Sequence, residues 1–467
     1  MSTPARPTLI RHYVLAALLV VTAINYVQRN CINPAVTTIE GELGISRLEM
    51  GDILSAFFLS YTFMQVPSGM VAQFLGAKWA LVLFTVGWSL ALGATAWAES
   101  YFGLYTGRLA IGALQAGIFP CATVILQAWY PASRRGIATA LLNSFMVLGG
   151  AIGTVATGWM LGPLGWRNIF LVFMVPGLLW AAWFAWWFRR RPEEHPGVNE
   201  AELAIIRGFS LPPATLDAPS NTDTAPTSDH LQRGEDRTGI AAGPATSAAP
   251  AETSSPLVSQ AGALTVLAIL TLVLIYTQQG FRAGANRLFD IWMPTYYQEA
   301  RGLTREAAAE LTSMLQIALF VGGLVGGALS DYVLTRTHSR WAARNGVALA
   351  SLLGACVFYL AAYPIDNVYF ATLIFGLGAF IFTFSSPCAY ALCIDVGGKY
   401  LAIIFGLMNM VGNLGAWAFV KYLPRLQEAG GWNLALGVFV AMHLGAAFCW
   451  LFLNPSLVIG GSAPRKE

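Results

Sequence analysis

A chain of 467 residues that is 56% hydrophobic and only 11% charged, with a mean hydropathy of +0.58, lies outside the composition of water-soluble globular proteins. It reads as a polytopic membrane protein, and a net charge of only +3 excludes the basic footprint that nucleic acid requires. The six cysteines, Cys31, Cys121, Cys356, Cys388, Cys393 and Cys449, fall in apolar segments without metal-binding spacing, so they read as small buried hydrophobes and no cofactor or metal is expected.

Apolar segments long enough to cross roughly 30 Å of hydrocarbon begin with one near 12 to 36. It follows Arg6 and Arg11 but is trailed by Asn25, Tyr26, Gln28 and Arg29 with no small-residue cleavage site, which predicts a retained helix rather than a secretory leader. Five more follow near 50 to 72, 78 to 98, 102 to 129, 135 to 161 and 167 to 188. Trp183, Trp186 and Trp187 followed by Arg189, Arg190 and Arg191 form an aromatic belt and a basic anchor at the end of the sixth. Residues 189 to 257 are rich in proline, serine, threonine and alanine, a composition that cannot bury a core. There PEEHPGVNEAELAIIRG predicts a short amphipathic helix at the membrane surface, and 210 to 257 a disordered linker. Six further spans follow near 262 to 298, 306 to 334, 342 to 363, 368 to 394, 400 to 423 and 432 to 453.

The expected architecture is all-α, with twelve transmembrane helices in two six-helix bundles. Residues 1–188 form the first bundle, 189–257 a cytoplasmic linker and 258–467 the second bundle. Most Lys and Arg lie on the side of the termini and linker, whereas Arg47, Arg167, Arg301, Arg305, Lys421 and Arg425 lie opposite. That bias places both termini in the cytoplasm of a plasma (inner) membrane protein. Local matches between the halves suggest a duplication. Asn143 and Gly149 match Asn409 and Gly415, Gly69 to Gln73 matches Gly327 to Asp331, and Arg29 on the first helix matches Arg282 on the seventh.

Polar residues within these spans mark the candidate site. Helical spacing puts Arg108, Gly112, Gln115 and Phe119 on one face of the fourth span. Tyr26, Arg29 and Asn33 share a face of the first with Gln28 beside them, and Gln278, Gln279, Arg282 and Asn286 form a stripe on the seventh. Asn143, Asn409 and Asn413 add neutral donors, although amides inside membranes also serve simply to bridge helices. Each arginine at mid-membrane costs about 2.5–3.5 kcal/mol on insertion scales. Asp290 pairs most simply with Arg287, while Asp331 and Asp395 sit at helix ends, so no carboxylate offsets the three arginines. Arg29, Arg108 and Arg282 are therefore expected to face one central cavity and to take an anion, since guanidinium pairs geometrically with carboxylate or phosphate. The alternative for Arg108 is an arginine held by backbone carbonyls for packing.

Together NYVQR, SAFFLSYTFMQVPSG, GRLAIGALQAGIFP, PEEHPGVNEAELA, GGALSD and GLMNMVGNLGA make the chain, apart from 210 to 257, resemble the major facilitator superfamily. Within it the likeness is to the anion:cation symporter branch of sugar-acid and organic-anion carriers. The resemblance implies alternating access around a central site, and by matching position substrate roles for Tyr26, Arg29, Tyr61 and Arg108. Gln115, Gln278, Arg282 and Asn409 join them from the polar pattern. Proton-coupled members of that branch carry Asp and Glu where this chain has Gln28 and Gln115, and glutamine cannot titrate. The loop signature spanning Gly69 and Gln73 lacks its usual acid and base, whereas its second copy, Gly327 and Asp331, keeps the acid. Proton drive by the branch's usual route is therefore not expected.

The function these readings give is secondary transport of a small organic anion, such as a hexuronate, an aldonate or another carboxylate, by a monomer in the lipid bilayer. An exchanger or uniporter without proton coupling remains an alternative, for carboxylates or for phosphate-type substrates, because the arginine pair is also similar to that of organophosphate:phosphate exchangers. A non-transporting anion sensor is the other alternative. An enzyme is not expected, because no paired carboxylates, metal cluster or activated nucleophile lie at membrane depth.

Overall fold

The computed structural model describes residues 6–131, 134–207, 256–457 and 459, so the stretch expected to be disordered lies almost wholly outside them. Among the described residues every regular element is a helix: α1 (Ile10–Asn30), α2 (Val36–Leu43), α3 (Arg47–Leu75), α4 (Ala77–Thr95), α5 (Tyr101–Gln115), α6 (Ile118–Trp129), α7 (Arg135–Trp187), α8 (Glu200–Ile206), α9 (Pro256–Arg287), α10 (Met293–Glu299), α11 (Arg305–Thr337), α12 (Val347–Ala362), α13 (Val368–Phe382), α14 (Ser385–Gly397) and α15 (Leu401–Phe452).

Nine stretches among the described residues are long and apolar enough to cross a membrane. Two of them, Ile137–Trp187 with 51 residues and Ile403–Phe452 with 50, are each far longer than one crossing needs. Each folds back at glycine: Gly165 takes φ 71° inside α7, and Gly431 takes φ 66° inside α15. The 29-residue α3, started by a Ser46 and Glu49 capping box, completes twelve spans. They form two six-helix bundles.

Glycines bring helices together at matching places in the two halves. A Cβ on Gly149 would run into the Ala23 backbone of α1, and one on Gly415 into the Gly280 backbone of α9. Likewise Gly112 of α5 lies against the Phe57 backbone, and Gly322 of α11 against that of Phe380. The sequence-matched pair Gly149 and Gly415 thus makes the same helix contact in each bundle, whereas Gly69 has nothing within 4 Å and Gly327 only Pro387 at 3.8 Å.

The bundles meet at the end away from the linker. There Lys421 pairs with Asp52 at 3.0 Å, Arg47 pairs with Glu299 as well as Glu40, and the Asn33 amide donates to the Asp290 carbonyl at 2.6 Å. Deeper along the seam Ala309 sits where a Gly158 side chain would go, and Gln316 reaches Thr154 at 3.4 Å. At the linker end the ion pairs of the described residues join Arg344 with Asp395 inside the second bundle, and Arg11 of the first bundle with Glu202 of the segment after it. The Lys421, Arg47 and Asn33 contacts thus join the bundles at the end away from the linker.

The segment after the sixth span is anchored, not loose on the surface. Asn199 caps α8 by accepting from the Glu202 amide at 2.9 Å, and its side chain donates to the Arg6 carbonyl at 2.7 Å. Glu202 is wholly buried and takes Arg11 of α1 at 2.6 Å. His195 packs edge-on against Trp129 and Trp187, and burial there together with the Arg189 charge lowers its pKa, so it packs as a neutral ring. Removing one partner of a buried ion pair leaves the other charge stranded, a loss of about 3–5 kcal/mol. Glu202→Ala is accordingly expected to release the α8 segment, read as faster tryptic cleavage after Arg207; a cleavage rate equal to wild type would contradict this.

Candidate functional site

Every third span is interrupted. The first stops at Asn30 and resumes at Val36 after a 3₁₀ turn holding Pro34. The fourth breaks between Gln115 and Ile118, the seventh passes through a π-helical turn at Leu288–Trp292, and the tenth breaks between Phe382 and Ser385. Pro34, Pro120, Pro294 and Pro387 lie at or shortly after these points, where a residue without N–H cannot continue the hydrogen-bond ladder. Arg29 occupies the last turn of α1 and Arg287 the last turn of α9, where helix carbonyls favour a cation. Broken helices at membrane depth are tolerated where they line a site.

Arg29 sits among four aromatic rings. Its Cζ lies 4.1 Å from the Phe57 centroid, 5.0 Å from Tyr26, 5.3 Å from Phe58 and 5.4 Å from Tyr61. The rings attract the cation through their negative faces. No carboxylate pairs with it among the described residues, so its donors remain for an anion. Arg108 approaches the same Phe57 ring at 5.1 Å and donates to the Arg29 carbonyl at 3.1 Å, while its buried Nε has no partner. Arg29 is thus buried without a paired acid among the described residues, and Arg108 is partly spent on the backbone beside it.

The two glutamines point into the bundle. Gln28 donates to the Phe173 carbonyl at 2.6 Å and exchanges hydrogen bonds with Ser89, which turns it toward the third and sixth spans. Gln115 donates to the Asn25 carbonyl at 3.3 Å, and its oxygen has no partner.

In the second half Gln278 bonds back to the Ile275 carbonyl of its own helix, at 3.1 Å. Arg282 is held by Gln279 at 2.7 Å and by Ser386 of α14. Asn409 is half-buried, with its carbonyl accepting from Asn413. The residue that meets the Arg29 cage from this side is Arg287, whose Cζ lies 5.5 Å from the Phe58 ring. Arg282 precedes it by five residues, about 7 Å along the helix. The structure therefore gathers Tyr26, Arg29, Tyr61 and Arg108 around Phe57 and Phe58, and ties Arg282 into its own bundle. Phe57, Phe58 and Ser386 were not singled out from sequence as site residues, and Arg287 was named only as the partner of Asp290; the SAFFLSY stretch that holds the two phenylalanines also holds Tyr61, which was.

The loop copies differ. Gln73 is exposed beyond Gly69, and the nearby Lys78 donates to the Phe188 carbonyl at 2.6 Å. Beyond Gly327, Asp331 and Asp395 flank Arg344 at 3.4 and 3.3 Å, with Ser330 at 2.6 Å. A half-enclosed cavity of about 190 Å³ lies in the second bundle between Tyr297, Tyr359, Phe375 and Phe439, and none of Arg29, Arg108, Arg282 or Arg287 lines it.

The model of the Major Facilitator Superfamily matches residues 18–420. The chain is 27% identical over 451 residues to a probable sulfoacetate transporter of Cupriavidus necator, covering 96% of this chain and 95% of the other. It is 27% identical over 461 residues to a probable galactarate/D-glucarate transporter of Bacillus subtilis, covering 97% and 93%. Among solved structures, the inward-facing, unoccupied crystal structure of a bacterial homolog of the human lysosomal transporter Spinster superposes with a TM-score of 0.63 at 19% identity, over 97% of this chain and 95% of that one.

Proposed function

The chain belongs to the major facilitator superfamily, and we propose on that footing that it is a secondary transporter of a short organic anion bearing an anionic group at each end. One observation carries this reading: a guanidinium at membrane depth, Arg29, lies in an aromatic cage with no carboxylate paired to it among the described residues. Sulfoacetate and galactarate, named for two relatives, share that chemistry, a short chain ending in two oxyanions. Arg29 takes one oxyanion through paired, charge-assisted hydrogen bonds. Arg108 adds positive field behind it, and Tyr26 and Tyr61 border the chain. Gln115, Gln278, Arg282 and Asn409 serve the far end as the bundles close.

Alternating access follows from rocking residues 1–188 against 258–467, with 189–257 as a cytoplasmic tether and both termini on the same side of an inner membrane. The unit that transports is a monomer.

Purified protein in liposomes preloaded with sulfoacetate, D-glucarate, D-galactonate, D-glucuronate or glycerol 3-phosphate tests the reading. Counterflow of labelled sulfoacetate or D-glucarate is expected. The same compound should raise thermal stability by about 2.7 kcal/mol at a hundredfold excess over its Kd. Counterflow of D-galactonate or D-glucuronate alone would reduce the requirement to a single carboxylate. Counterflow of the phosphate ester alone would move the assignment to phosphate exchange, and stabilisation without counterflow would make the protein a sensor.

A further inference from the structure

We infer that Asp290, in the π-helical turn of the seventh span, is the carboxyl group that takes up and releases a proton in step with substrate; this rests on the transport reading above. The two positions where carboxylates could have served, Gln28 and Gln115, are amides committed to Phe173, Ser89 and Asn25. Among the described residues most other acids in or beside the spans stand near helix ends. Glu40, Glu42, Glu49, Asp52, Glu299, Glu306 and Glu310 lie toward the end away from the linker, and Asp331 and Asp395 toward the linker end. Asp290 alone among them neighbours the Arg29 cage, because its partner Arg287 rests on Phe58, the ring that Arg29 also approaches.

Three features suit this carboxyl to the task. Its Oδ2 pairs with Arg287 at 2.6 Å, while its Oδ1 is buried without a partner, so the ionised form is only half satisfied. Its own carbonyl accepts from Asn33 of the other bundle, which places it on the seam that must part when the opposite side opens. A π-helical turn interrupts the regular ladder there, a feature frequent at functional positions. The charges acting on it are Arg287 of its own span and Arg29 across the seam. On elements packed nearby, Arg47 is engaged with Glu40 and Glu299 and Lys421 with Asp52, and α11 carries Arg305, Glu306 and Glu310 in its first turns.

The step balances simply. A proton passes from water to an Asp290 oxygen and a substrate oxyanion passes from water to Arg29, the neutral carboxyl no longer repelling it. Opening to the other side reverses both transfers. An anion at Arg29 and an ionised Asp290 repel one another, so each favours the other's neutralisation, which is the linkage symport requires.

The test uses proteoliposomes at clamped membrane potential and whichever of the five anions named above shows counterflow. With one proton per substrate, a one-unit inward proton gradient should drive about tenfold accumulation in wild type. Asp290→Asn should abolish that accumulation and flatten the pH dependence of counterflow. Should this variant not reach the membrane because Arg287 is stranded, the double variant Arg287→Gln with Asp290→Asn removes both charges of the pair and should behave the same way. Accumulation retained by either variant, or absent from wild type that shows counterflow, overturns the inference while leaving transport intact. Counterflow with none of the five anions overturns the transport reading and this inference with it.

Discussion

Arg29→Gln is expected to lower binding of the transported anion about a hundredfold or more, because two charge-assisted hydrogen bonds at about 1.5–3 kcal/mol each disappear together. The loss should fall on binding and spare folding. Arg29 has no paired acid among the described residues, so removing it strands no buried carboxylate, and the surrounding rings of Phe57 and Tyr61 keep their own packing. Arg29→Lys should recover only part of the affinity, since an ammonium keeps the charge and loses the planar fork. The measurement is ligand-induced thermal stabilisation of each variant alongside its ligand-free melting point. Affinity within twofold of wild type for Arg29→Gln would remove this residue from the site.

The second large effect concerns folding. Gly149→Val inserts a branched side chain where the α1 backbone already stands at Ala23, and overpacking of this kind costs about 1–3 kcal/mol or more. A fall in melting temperature of about 5–10 °C, or loss of the protein from the membrane, is expected. Gly162→Val in the same helix is the control, because nothing lies within 4 Å of its Cβ position. Equal stability of the two variants would mean that the two helices separate freely at Gly149.

Much of this fold was legible because the membrane imposes a coarse rule, one apolar helix per crossing, and sequence obeys it visibly. The turns at Gly165 and Gly431 fall in the gaps between predicted spans for that reason. The match of Gly149 with Gly415 was legible as a repeat, and the structure supplies its cause, a backbone contact that excludes Cβ. Directions around a helix were harder to read. Gln28 follows Tyr26 and precedes Arg29, yet it bonds to the third and sixth spans, because one residue turns a helix face by 100° and the polar stripe did not say which neighbour stood there.

Partners across the bundles were harder still to read. Arg282 and Arg29 match in the repeat, but Arg287 is the cation whose guanidinium approaches the Phe58 ring. Long-range partners carry no local signal at all. The burial of Glu202 by Arg11, 191 residues away, could not be read from a surface-like amphipathic pattern.

The contrast between the two kinds of interface has a consequence for rates. Within each bundle helices touch backbone to backbone, whereas the bundles are joined at their closed end by partly exposed ion pairs, Asp52 with Lys421 and Arg47 with Glu299, by single hydrogen bonds, and by the close seats of Gly51 on Pro424 and Gly158 on Ala309. Exposed pairs contribute about 0–1 kcal/mol each, so they set the register of the closed end while its apolar seats do more of the holding. The return of the empty carrier is then timed by how readily those seats part.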